Sequence, residues 1–214
     1  MQFIKAISFL AILLFFTGIQ AAEALKFEVY LDDRKIGYHS VVVKQQGSET
    51  LVNVNADFEV KFLMIPVFSY QHQASERWVD GCIVELDTRT DKDGEKLFVT
   101  AEKQESGLLI KSSQTEKSLS ECVKTFAYWD PDLLDSQHLL NTQNGDYEQT
   151  SLLLQGQSSL MFKDKAYGQI HKQLKITDKP AIDLFYGADD SWQALQTEVA
   201  GGRILRYIRM DNSS

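Results

Sequence analysis

One stretch of this sequence sets reactive side chains at strand spacing. From Phe68 to Trp78, residues Phe68, Tyr70, His72, Ala74, Glu76 and Trp78 share one face of an extended chain. Ser69, Gln71, Gln73, Ser75 and Arg77 share the other. The first set is the face expected to be buried, and it carries His72 and Glu76 inward. A buried carboxylate is either paired or raised in pKa. Glu76 and His72 are therefore the candidate catalytic residues, as an acid–base pair or as ligand anchors. The alternative is an ion pair from Glu76 to Arg203 or Arg206 that holds the sheet closed. An edge position would instead expose both residues.

Aromatic residues are the second chemical feature. Tyr70, Trp78, Tyr128, Trp129, Tyr186 and Trp192, with Arg203, are the candidate ligand-binding residues. Together with Phe126, Phe185 and Tyr207 they either line an apolar pocket or fill a β core. Cys82 and Cys122 are the two cysteines. An even count suits a disulfide in an exported chain, and two buried free thiols are the alternative.

Other chemistries lack their signatures. His39, His72, His138 and His171 are scattered, with no H-x-H and no H-E-x-x-H. On a strand, His72 and Glu76 lie about 13 Å apart, too far to share one metal ion. Asp91 to Gly94 resembles a calcium loop, but the position that needs a bidentate glutamate is Thr100. It reads as a hairpin turn. Asp189-Asp190 reads as a loop. Nucleophile-elbow and nucleotide-cradle motifs are absent, so no metal and no cofactor are expected.

The elements that must position these residues follow period two. Val52, Val54, Ala56, Phe58, Val60 and Phe62 alternate with polar neighbours. Leu25 to Leu31, Cys82 to Thr88 and Leu97 to Ala101 repeat the pattern. Asp80-Gly81, Asp93-Gly94 and Asn144-Gly145 supply tight-turn chemistry between runs. Six or seven strands are expected first. Later ones are expected over 147–155, 158–163, 167–177, 182–186, 192–199 and 204–210. One short helix is expected near residues 131–140, with Asp130 as cap and Pro131 at its first position. The fold class is all-β and mainly antiparallel. It is a long curved meander, half-barrel or barrel of about a dozen strands that must curl to cover its apolar face.

The 214 residues are 43% hydrophobic, with a net charge of −8. That balance argues against nucleic acid, which needs clustered Lys and Arg. Lys5, the apolar run 6–17 and the small residues Gly18, Ala21, Ala22 and Ala24 have the plan of a secretory signal peptide. The expected organisation is a leader over 1–24 and a single β domain over 25–214. Cleavage falls before Leu25, or after Ala21 or Ala22. The apolar run is too short to span a bilayer, so the expected product is periplasmic, with no membrane span after cleavage.

Four blocks carry a resemblance. They are Glu76-Arg77-Trp78-Val79-Asp80-Gly81-Cys82, Phe126-Ala127-Tyr128-Trp129-Asp130-Pro131, Leu139 to Gly145, and Gly201 to Tyr207. Together they resemble a family of secreted bacterial proteins catalogued as domain of unknown function 6134. The resemblance implies an exported, mostly β domain and implies no catalytic residues.

Three functional readings follow. The first is a periplasmic binding or carrier protein for an apolar small molecule, lipid included, on the concave face of the sheet. The second is a structural or interaction domain of the cell envelope. The third is a hydrolase or isomerase using the inward Glu76 or His72.

Overall fold

The computed structural model describes residues 22–62 and 65–211. Almost all of it is strand. The first half supplies β1 (Glu23–Leu31), β2 (Arg34–Gln46), β3 (Glu49–Phe62), β4 (Ile65–Val79), β5 (Cys82–Lys92), β6 (Glu95–Gln104), β7 (Gly107–Ser112) and β8 (Glu116–Leu119). The second half supplies β9 (His138–Leu140), β10 (Tyr147–Gln157), β11 (Leu160–Phe162), β12 (Lys165–Tyr167), β13 (Ile170–Ile176), β14 (Ile182–Tyr186), β15 (Trp192–Val199) and β16 (Arg203–Arg209).

Fourteen of these strands form one antiparallel sheet, ordered β8-β7-β6-β5-β4-β3-β2-β1-β16-β15-β14-β13-β10-β9. The sheet does not close, so β8 and β9 are its two edges. The chain ends meet in the middle, where β1 pairs with β16. β11 and β12 form a separate hairpin. Its Leu160 and Phe162 pack with Tyr30, Phe185 and Ile208.

Register across the sheet sets the inner face. One row runs Phe27, His39, Ala56, His72, Thr90 across five strands. Another inward row passes through Val52, Glu76, Leu86, Ala101 and Ile110. A third runs Tyr207, Val29, Gly37, Phe58, Tyr70. In that row Phe58 and Tyr207 are three strand steps apart, about 14 Å on a flat sheet. Their ring centroids are 5.8 Å apart. The sheet is therefore sharply curved around its inner face.

A strap fills the concavity. After β8 the chain leaves one edge of the sheet and crosses the inner face to β9 at the other. It is fixed at several points. Cys122 is disulfide-bonded to Cys82, with Cα atoms 5.1 Å apart. Ile83 N–H donates to the Val123 carbonyl at 2.9 Å. Trp129 meets Trp78 edge to face, with centroids at 5.7 Å. Tyr186 Oη donates to the Tyr128 carbonyl at 3.1 Å. Thr125 forms a parallel bridge with Leu140.

The helix expected near 131–140 is corrected. Only Pro131–Asp135 is helical, as a 3-10 turn capped by the Asp130 carboxylate, which accepts from the Asp132 N–H. His138–Leu140 is strand β9. Without β9, β10 would leave backbone groups unpaired, and His138–Leu140 satisfies them by pairing with Tyr147–Gln149. The strands expected over 158–163 and 167–177 are redivided as β11, β12 and β13, with left-handed turns at Lys163, Asp164 and Gly168. The leader expected over 1–24 lies outside the described residues except at its last three positions.

Candidate functional site

Between the strap and the concave face lies a cavity of about 270 Å³. Its floor is the row His39–Ala56–His72. Ala56 is the small residue between two imidazoles, and it leaves the space above it open. Tyr70 and Tyr207 stand at one side. Phe126, Tyr128 and Trp129 of the strap form the roof, and Trp192 and Thr197 lie beyond the centre of the sheet. Asn141 and Thr142 belong to the loop that follows β9. Thr88 Oγ1 pins that loop by donating to the Thr142 carbonyl at 2.8 Å.

Glu76 is buried at the cavity margin, with 7% of its surface exposed. Its Oε2 accepts from Trp78 Nε1–H at 2.8 Å. Burial pushes its pKa up to about 7, against the lowering effect of the Trp78 bond. The Thr125 hydroxyl acts in the same lowering direction from outside hydrogen-bond geometry. The ion pairs expected for Glu76 do not form. Arg203 Nε bonds Asp32 at 3.0 Å, and Arg206 Nε bonds Gln196 at 2.8 Å. Both arginines serve the β1–β16 junction and not the cavity.

The two histidines are neutral groups. His72 Nδ1 lies 2.8 Å from Thr90 Oγ1, and Nε2 lies 3.4 Å from Thr142 Oγ1. Burial lowers its pKa to about 4. His39 lies against Tyr207, with centroids 5.2 Å apart. Burial, with a smaller contribution from His72, lowers its pKa to about 3.

Unpartnered polar atoms concentrate here. Among the described residues, His39 Nδ1 and Thr125 Oγ1 are the side-chain polar atoms that are wholly enclosed and have no hydrogen-bond partner. Both residues line this cavity. Buried polar groups are almost always paired, so these two enclosed atoms are a local cost of packing beside the cavity.

Of the residues expected to bind ligand, Tyr70, Tyr128, Trp129 and Trp192 line the cavity, as do His72 and Glu76. Trp78 stands behind it as the partner of Glu76. Tyr186 is fully buried below the strap. Arg203 is elsewhere. Sequence reasoning missed His39, Thr125 and Ala56 as parts of the site, while Phe126 and Tyr207 stood among the aromatic residues expected to line a pocket or fill the core. The alternation of β3 placed Ala56 inward, but nothing local to β2 or the strap aimed His39 or Thr125 at the same space.

A second, larger groove of about 690 Å³ opens on the outer face of β3–β6. Its Asn55, Gln73 and Arg89 are aligned across three strands with the exposed ring of Phe98. No group of His, Cys, Asp or Glu among the described residues is arranged to hold a metal ion.

Fold and cavity together define an open, single-sheet β domain whose own connecting strap roofs a polar–aromatic chamber. The chain belongs to the family described as Domain of unknown function (DUF6134), whose model matches residues 27–210. No curated protein and no solved structure matches it.

Proposed function

We propose that this domain is an exported small-molecule-binding protein whose ligand occupies the strap-covered cavity. The observation that carries this reading is the cavity itself, lined by the rings of Tyr70, Phe126, Tyr128, Trp192 and Tyr207 around the imidazole of His72. Aromatic rings surrounding a few aimed polar groups are the usual make-up of a ligand site. At about 270 Å³ the space is just below the usual range for such sites. That volume favours a compact molecule over a long-chain lipid. The apolar leader and the Cys82–Cys122 disulfide support export to an oxidising compartment, the periplasm in a bacterium. Among the described residues no helix is long and apolar enough to cross a membrane. β1 begins at Glu23, so cleavage after Ala22 would keep the whole strand.

The test is to isolate the chain from its own cell envelope, denature it and identify released small molecules by mass spectrometry. Ala56→Leu, which fills the floor, is the control. A near-stoichiometric compound in the native chain that is missing from the variant supports the reading. Equal amounts in both chains, or none in either, would overturn it.

A further inference from the structure

We infer that the cavity selects a small uncharged molecule bearing a carbonyl oxygen, held by a cluster of tyrosine hydroxyls and stacked between aromatic rings. This rests on the proposed binding role and specifies its ligand.

Three hydroxyls carry the inference. Tyr70, Tyr128 and Tyr207 all line the cavity. They come from β4, from the strap and from β16. Tyr186 Oη is bonded to the Tyr128 carbonyl, whereas the hydroxyls of the other three find no partner among the described residues. Charge on Tyr207 would repel charge on both Tyr70 and Tyr128, so its hydroxyl lies within electrostatic reach of each. Burial raises all three pKa values, which keeps the phenols protonated as donors. A neutral imidazole offers one donor and one acceptor, so His39 and His72 tolerate either kind of ligand group.

Charge selects next. Among the described lining residues none is Lys, Arg or Asp. An anion would enter a buried space with no cation to pair with. A cation would have only Glu76, which Trp78 already holds, and two histidines that resist protonation. The aromatic walls do offer π faces to a cation. Even so, three cavity-lining phenols can each donate a proton to an oxygen held in that space. A neutral carbonyl oxygen satisfies those protons without a charge to desolvate.

The test uses four probes of similar shape: acetophenone, benzoate, benzyltrimethylammonium and ethylbenzene. Each is titrated into the purified disulfide-bonded chain and followed by NMR of the aromatic side chains. Acetophenone should saturate and should bind at least fivefold more tightly than ethylbenzene. Benzoate and benzyltrimethylammonium should bind at least tenfold more weakly than acetophenone. Tyr207→Phe should weaken acetophenone about five- to tenfold and leave ethylbenzene unchanged, the loss expected of one hydrogen bond.

Tighter binding of either charged probe, if Ala56→Leu abolishes it, would overturn the ligand class while leaving the site intact. So would a Tyr207→Phe effect equal for acetophenone and ethylbenzene. Binding that survives both Ala56→Leu and Val54→Leu, or no saturable binding by any probe, would overturn the site itself. Val54 lines the same floor and serves if Ala56→Leu does not fold.

Discussion

Trp78 donates its indole N–H to Glu76 Oε2 across 2.8 Å, from two positions along the same face of β4. The two residues lie side by side on the inner face, and the bond orients the carboxylate at the edge of the cavity. It also resists the rise in pKa that burial imposes.

Glu76 should make stability depend on pH. Its folded pKa of about 7 lies above the ordinary 4.5, so the folded chain binds a proton that the unfolded chain has released. The resulting contribution is present below pH 4.5 and is lost as pH rises through 7. The gap corresponds to about 3 kcal/mol at most. Glu76→Gln keeps an acceptor for Trp78 and removes the titration. Urea unfolding should show the variant gaining on the native chain from pH 5 to pH 8. A constant difference across that range would contradict the assignment.

Removing the indole donor should move the same group. In Trp78→Phe the carboxylate loses its bond, and its pKa should rise above 7. Carboxyl-carbon NMR of selectively labelled Glu76 reads this directly. A fall in pKa would mean that Trp78 does not stabilise the charged form.

His39 and His72 act in the opposite sense. Their folded pKa values, about 3 and about 4, lie below the ordinary 6.5. Between pH 6.5 and 4 only the unfolded chain takes up their protons, so stability falls with acidification. Measured in the Glu76→Gln background, the urea midpoint should drop across this window. The drop should be about half as large when His72→Gln is added. An undiminished drop would place the acid sensitivity elsewhere.

The disulfide should matter through the strap. Cys82 and Cys122 are 40 residues apart. Losing that closure should cost roughly 3–4 kcal/mol in the chain-entropy model. The double serine variant should melt well below the oxidised chain and should match the reduced chain. Equal melting temperatures for oxidised chain and variant would show that the strap is held by its other contacts alone.

Gly37 is a packing requirement of the sheet. A Cβ there would lie 1.9 Å from the Asp57 carbonyl oxygen. Backbone on both sides fixes that approach, since Gly37 pairs with Val29 and with Phe58. Gly37→Ala should lower stability by roughly 2 kcal/mol or more, because the β2–β3 pairing must shift. Thermal unfolding checks it. The same change at Gly201, which meets no neighbour within 4 Å, strains only a turn with φ of +79° and should cost less.

Much of the fold could be read from side-chain alternation. Period two in β3 and β4 placed Ala56, His72 and Glu76 inward, and the Asp-Gly turns marked where neighbours reverse. Both features are local, so they leave their mark on the sequence. The helix expected from Asp130 and Pro131 failed beyond Asp135 because β10, which begins at Tyr147, offered hydrogen bonds that no local signal records.

The site divides along the same line. The sequence by itself determined that His72 and Glu76 share a buried face, because neighbours on one strand alternate whatever lies around them. It left open whether Cys82 meets Cys122, and whether Glu76 pairs with Arg203 or Arg206. Only the tertiary structure decided these. The strap crosses from one sheet edge to the other, and curvature brings β16 over β2. His39, Tyr207, Thr125 and Tyr128 come from three distant segments, β2, β16 and the strap, and they share a cavity because a fourteen-stranded sheet must bend around whatever covers it.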